Sequence, residues 1–289
     1  MNFLNAKRLK YIAFVFMFIA FTFLWQTQTV KAYAMPFYDL MPKELVLRAE
    51  FCTYYTNSSS ERKHNIKLAS QSINNFLLDV GEEFSFNRVV GPRSERRGYK
   101  NAKIILDGEF VDGIGGGVCQ VSTTLYNAVL LADLKVLEYH PHSLPVSYVS
   151  PSFDAMVNSS FADLRFINNT SNPIIICSTT TFDFIKIQIY GQKLDYSVMR
   201  KSKVTGTILP DADQIIFDTD NQYPELTQGQ SKQIRFAKNG LTSEGYIIKC
   251  RGKKIIENKR IRKDKYNAVR GIIVKSTFPD KDESLNING

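Results

Sequence analysis

A chain of 289 residues with 44% hydrophobic side chains can bury the core of one large domain or two ordinary ones, which excludes disorder over most of its length. Its 37 basic and 28 acidic residues give a formal charge of +9. Four of the bases, Lys7, Arg8, Lys10 and Lys31, fall in the first 34 residues, which hold no acid, so the remainder carries +5. A surplus that small gives little reason to expect nucleic acid as a partner. It suits anionic polymers or membrane surfaces outside a cell, or simple colloidal solubility.

The first 34 residues have the layout of a secretory signal peptide: a basic start, an apolar run from Tyr11 to Trp25, and the small-residue triplet Ala32-Tyr33-Ala34. The apolar run falls short of the roughly 20 residues that span a bilayer. Cleavage after Ala34 and export are therefore expected, with an uncleaved anchor as the competing view and the only link to a membrane. The four cysteines, Cys52, Cys119, Cys177 and Cys250, form an even set in an exported chain, but their spacings match no compact disulfide framework. Cys52, Cys177 and Cys250 lie in strand-like runs, where inert buried thiols are the default.

After the leader, "KELVLRAEFCTYYT" has the β-branched and aromatic content of a strand, and "NSSSERKHN" reads as a polar loop in which His64 is solvated. Ile66, Ala69, Ile73, Phe76 and Leu77 recur at helical spacing up to Gly81. Short strands then surround a Gly-Pro turn and an Asp-Gly hairpin signal at Asp107-Gly108. From Val118 to Asp133 the spacing predicts a helix with Val121, Leu125, Ala128, Val129 and Ala132 on one face, and Tyr126, Leu130 and Leu131 filling other sides. Strand-like runs follow as far as Gly191, including "KVLEYHPHS" and "PVSYV". The expected architecture is α+β: a central helix packed on a mainly antiparallel sheet over residues 46–191, then a weakly periodic boundary at 192–207 and a small all-β module at 208–277. Residues 278–289 read as a disordered tail. The basic run "RGKKIIENKRIRKDK" fits either a solvated edge strand or a polymer-binding patch.

One stretch stands out chemically. In "DGIGGGVCQVSTT" four glycines in five residues precede Cys119 at the start of the predicted helix. Glycines let the backbone turn sharply and free successive N–H groups. A helix N-terminus lowers a thiol pKa, and its unpaired amides can hold an oxyanion. A thiolate nucleophile needs a base and an acceptor to orient that base. His140 and His142, then Asp154, follow the helix, with His142 the preferred base. Gly115, Gly116, Gly117, Gln120, Thr123 and Arg93 are candidate substrate-binding residues, Arg93 as a grip for carboxylate or phosphate. Ser122 and Tyr126 share the helix side of Cys119.

Three other readings of these residues stand beside the nucleophile. Cys119 with His140 and His142 could bind zinc. The glycines could cradle a phosphate, although Val118 breaks the dinucleotide pattern and no Gly-Lys-Ser/Thr follows. The third is purely structural: a tight turn, a half-buried cysteine, and histidines bonded to backbone. No metal and no cofactor are expected on the leading reading.

The motifs "GEEFSFNRVVGPRSERRGY", "GGGVCQVSTTLYNAVLLA", "HPHSLPVSYVSPSFDAMV" and "DLRFINNTSNPIII", in that order, resemble the VanW family, named for a protein encoded with B-type vancomycin resistance determinants. Phe153 stands where the family usually has glycine before the aspartate. The C-terminal part bears a faint resemblance to G-five-type β modules, which are associated with cell-wall sugars. The resemblance implies an exported envelope protein with peptidoglycan or another anionic wall polymer as partner. It supplies no reaction. A cysteine-dependent amide hydrolase or transpeptidase and a non-catalytic wall-binding or resistance accessory protein both remain open.

Overall fold

The computed structural model describes residues 45–106 and 108–278. The expected leader, Asp107 of the hairpin signal and the tail from residue 279 lie outside the described residues. Among the described residues no helix is long and apolar enough to cross a membrane. Strands predominate, and every described strand pairing but one is antiparallel.

The main sheet has the order β1-β9-β8-β2, formed by β1 (Val46–Tyr54), β2 (Phe76–Leu78), β8 (Ile174–Thr180) and β9 (Phe184–Gly191). Ile185, Ile187 and Ile189 of β9 point to the core at strand period, with Ile174 and Ile176 of β8 beside them. Against this sheet lie α1 (Ser60–Ile73) and α3 (Val118–Leu131). In α3 every residue from Val118 to Leu130 except Cys119 is buried. The remaining N-terminal elements are β3 (Glu83–Ser85), the short α2 (Phe86–Val90), the hairpin β4 (Asn101–Leu106) and β5 (Glu109–Ile114), β6 (Lys135–Glu138) and β7 (Arg165–Ile167). β3, β7 and β6 form a small sheet of their own.

The first helix departs from expectation at both ends. It starts earlier, inside the polar loop, because Ser59 caps it by accepting the Arg62 N–H at 3.3 Å. It stops at Ile73, because Asn75 turns left-handed at φ 58°. Phe76 and Leu77 therefore belong to β2, paired with β8, and not to a helix face. His64 lies on α1, exposed, with Nε2 2.9 Å from the Gly98 carbonyl. Between β6 and β7 the chain is irregular where strands were expected, since Pro141, Pro145 and Pro151 interrupt it and supply no backbone donors.

Residues expected as a linker form a twelve-residue strand, β10 (Ser197–Ile208). It pairs along its length with β13 (Gly240–Arg251), which pairs in turn with β14 (Lys254–Tyr266). The inward side of β10 carries Arg200 as well as Val198, and that charge hides the strand's amphipathic pattern. Arg200 reaches Asn127 on α3 and lies over the rings of Phe51 and Phe153, at 4.2 and 4.7 Å. A last sheet, β11 (Gln214–Asp218), β15 (Ile272–Ser276) and β12 (Ser231–Arg235), contains the parallel pairing, β11 with β15. From Val46 onward the chain is one compact unit. Ile247 of β13 is part of the main core, and Val198 and Ile261 pack against it.

The glycine turn before α3 is set by close approach. A Cβ on Gly116 would sit 2.6 Å from the Ala102 carbonyl oxygen and 2.7 Å from that of Lys103. Asn65 of α1 ties the same turn down by donating to the Gly116 and Lys100 carbonyls at 3.0 and 2.9 Å. Gly116→Ala should lower stability by about 1–3 kcal/mol, the usual cost of forcing atoms into a packed site. Denaturant unfolding against the unaltered chain checks this; an unchanged midpoint would mean that the turn has room.

Candidate functional site

Cys119 is the second residue of α3, after the left-handed N-cap Gly117 at φ 108°. It is half-buried, and its Sγ lies 3.3 Å from the Val157 carbonyl. Of the first-turn amides, Val118 N–H donates to Gly115 at 3.1 Å and Gln120 N–H to Gly117 at 2.9 Å. The Cys119 N–H has no such acceptor.

His142 comes from the irregular segment and is buried. Its Nδ1 is 2.7 Å from Asp154 Oδ2, and its backbone N–H donates to the same oxygen at 2.6 Å. The other ring nitrogen, Nε2, is left for the neighbouring Cys119 thiol, whose charge is one cause of the upward shift of the ring's pKa. Asp154 Oδ1 accepts from the Tyr266 hydroxyl at 2.6 Å and from Arg262 Nη2 at 3.4 Å. Arg262 also donates to the Asp154 carbonyl and, through Nε, to Asp264 at 3.0 Å. Its guanidinium lies over the rings of Tyr139 and Tyr126, 4.5 and 5.5 Å from their centroids.

These contacts fix the charges. Burial works to raise the Cys119 pKa, but the hydrogen bond and charge of His142, with Arg93 behind, hold it below the ordinary thiol value. Burial works to lower His142, yet Asp154 and the thiolate push it up to about 9. Burial opposes ionisation of Asp154 as well, and His142, Arg262 and Tyr266 keep it below the usual carboxylate range. At neutral pH the ring of His142 holds its proton and Asp154 is ionised, an arrangement that favours the thiolate form of Cys119.

The other sequence candidates divide clearly. His140 is turned away from the thiol, with Nε2 3.0 Å from Glu138 Oε1. The zinc reading needed both histidines facing Cys119. Among the described residues no group of three or more His, Cys, Asp or Glu could hold a metal ion. The Gln120 side chain faces β1, where its amide donates to Thr53 Oγ1 at 3.1 Å and the Tyr54 carbonyl at 2.9 Å, so it offers no donor to the site. Thr123 accepts the Ala155 N–H at 3.0 Å, and Ser122 donates to the Ala155 carbonyl at 2.6 Å; both clamp the strand of chain that carries Asp154. Gly115 and Gly117 bracket Gly116 beneath the thiol, and Arg93 lies against Gly115.

Sequence reasoning missed Tyr148, Arg262 and Tyr266. Burial and the neighbouring Cys119 raise the Tyr148 pKa, so its hydroxyl stays protonated beside the sulfur. It sits in "HPHSLPVSYV", a motif already singled out, and a polar-tipped aromatic three residues after Pro145 was the available signal. Arg262 and Tyr266 lie more than a hundred residues from Asp154, Arg262 inside the run read as solvated or polymer-binding and Tyr266 just after it. No local signal marks them. Ser152 is a further support: at φ 64° it is held by its N–H to Tyr266 Oη and its Oγ to Ser243 Oγ, both at 2.7 Å. All four cysteines are free of disulfides, and burial raises the pKa of Cys52 and of Cys177.

The family model described as "VanW like protein" matches residues 61–190. The uncharacterized protein YoaR of Bacillus subtilis (strain 168) is 36% identical over 204 residues, 68% of this chain and 67% of that protein. The vancomycin B-type resistance protein VanW of Enterococcus faecalis (strain ATCC 700802 / V583) is 29% identical over 134 residues, 45% of this chain and 49% of its own length. A crystal structure of HP0197-G5 is matched over 28% of this chain and 96% of that one, at 18% identity and a TM-score of 0.16, which carries no argument about the fold.

Because the folded pKa of His142 lies above the unfolded value of about 6.5, its imidazolium contributes stability in full below that pH and loses it as pH rises through about 9. NMR of the ring should show that titration in the intact chain. In Cys119→Ser the midpoint should fall toward 6.5, because the thiolate no longer holds the proton. An unchanged midpoint would show that thiol and ring are not coupled.

Proposed function

The chain belongs to the VanW family, and from that premise we propose that it is an exported cell-envelope protein whose Cys119 attacks an amide of a peptidoglycan peptide. One observation carries the chemistry: the ring of His142, neighbour of the Cys119 thiol, is hydrogen-bonded to a buried carboxylate, Asp154, whose oxygens are both committed to fixed donors. The thiolate bonds to the amide carbon, His142 passes its proton to the departing amine, and a thioester remains. Water then releases the acid in a hydrolase, or an amine takes the acyl group in a transpeptidase. Since the ring already holds its proton at neutral pH, His142 acts first as an acid. The Cys119 N–H and the Tyr148 hydroxyl are the donors available to the oxyanion.

The envelope assignment rests on the signal-like leader, the modest positive charge, and a relative named for vancomycin B-type resistance. A second, non-catalytic reading is favoured by β14. Its inward row carries Arg262, Asp264 and Tyr266, while Arg260, Lys263 and Lys265 stand exposed on the other face, a basic row suited to an anionic wall polymer.

With Cys52, Cys177 and Cys250 replaced by serine, alkylation of Cys119 should persist well below pH 7 and weaken strongly in His142→Ala, but little in His140→Ala. Turnover of muropeptides should vanish in Cys119→Ala. A thiol titrating near 8.5, the free value, would overturn the catalytic reading. Sacculus binding that survives Cys119→Ala without any turnover, and falls with salt, would establish the second.

A further inference from the structure

Two arginine side chains flank the glycine turn that precedes the nucleophile. A Cβ built on Gly115 would lie 3.0 Å from Arg93 Cβ and 3.3 Å from its Cγ, and one on Gly117 would lie 3.0 Å from Arg62 Cγ. Both aliphatic stems therefore run along the turn, one on each side, and only Val118 separates Gly117 from Cys119. The absence of side chains in the turn is what lets the arginines come this close.

Each head group is aimed by neutral acceptors. Arg93 Nη1 donates to Asn87 Oδ1 at 2.7 Å and to the Gly91 carbonyl at 3.2 Å; Arg62 Nη2 donates to Gln120 Oε1 at 2.8 Å. Among the described residues neither has a carboxylate within ion-pair distance, and the remaining guanidinium N–H groups have no protein acceptor. The groups that oppose burial in Arg93's field are Cys119, then Tyr99 and Asp163, and the Asp163 oxygens already accept Ser85 Oγ at 2.6 Å, Asn87 N–H at 2.9 Å and Leu164 N–H at 2.8 Å. Arg165 and Arg262, by contrast, are each matched by two carboxylates. Arg93 is half-buried, and burial there lowers its pKa. A half-buried guanidinium with no carboxylate partner is costly to hold unless a ligand supplies one.

We propose that Arg93 and Arg62 form a carboxylate subsite beside Cys119, so that the peptide presented to the thiol carries a free carboxylate next to the amide under attack. A planar guanidinium fork matches a carboxylate with two parallel N–H bonds. The pair also offsets the repulsion that such an anion meets from the thiolate. The inference rests on the nucleophilic reading of Cys119 and narrows its substrate class.

The test uses two alkylating reagents that differ in that one group. Iodoacetate and iodoacetamide both react by the same displacement, Sγ bonding to the methylene carbon as iodide leaves, but only iodoacetate carries a carboxylate there. The ratio of their rates cancels the thiolate fraction. In the full chain with Cys52, Cys177 and Cys250 replaced by serine, the iodoacetate-to-iodoacetamide ratio should exceed that of a simple thiol by about tenfold, the effect of one modest ion pair. Arg93→Gln and Arg62→Gln should each pull the ratio back toward the simple-thiol value. Independently of any variant, N-acetyl-alanine should protect the thiol from iodoacetamide where N-acetyl-alaninamide does not. Fast iodoacetamide reaction with a simple-thiol ratio and no selective protection would overturn the subsite and leave the nucleophile standing. Slow reaction with both reagents would overturn both.

Discussion

The carboxylate of Asp154 is the constraint on which the rest of the site depends. It is almost completely buried, and a lone ion there would be expelled or protonated. It remains charged because its acceptor positions are filled: two by the backbone and ring of His142, one by Tyr266 and one by Arg262. That set of donors holds the imidazole in a single orientation, leaves one ring nitrogen for the sulfur, and thereby sets the state of Cys119. Each link is short-range, so the geometry of the thiol is decided by groups two residues deep in the protein.

The charges also explain why the C-terminal strands are part of this machinery. Asp154 is held ionised, and Arg262 and His142 are the positive groups beside it. Two of the compensating groups, Arg262 and Tyr266, stand on β14, which is kept in place by its long pairing with β13. β13 itself places Gly245 where a Cβ would meet Ser152 and Phe153, the residues just before Asp154. Phe153, which fills the place of a family glycine, is buried under Arg200 from β10. The same strand β14 alternates between this buried row and an exposed basic row, so catalysis at one face and polymer contact at the other need not exclude each other.

Much of this was legible before any fold was known, for local reasons. The helix after the glycine run, the β4–β5 hairpin and the strands around Cys177 follow from periodicity and turn chemistry, which act over a few residues. Cys119, His142 and Asp154 were legible as chemical types in a plausible order. The helix at 60–73 was misplaced because a serine cap and a left-handed asparagine outweighed apolar spacing. β10 was missed because a buried arginine stands where the strand pattern requires an apolar residue.

The sequence by itself determined the glycine turn, the helix it opens and the family, since each is written in contiguous residues whose conformational limits are intrinsic. Tertiary structure alone decided that His142 and not His140 meets the thiol, that Gln120 turns to β1, and that Arg262 and Tyr266 reach across more than a hundred residues to Asp154. The reason is physical: a buried charge is satisfied by whichever donors the packed chain brings within about 3 Å, and distance along the chain has no bearing on that.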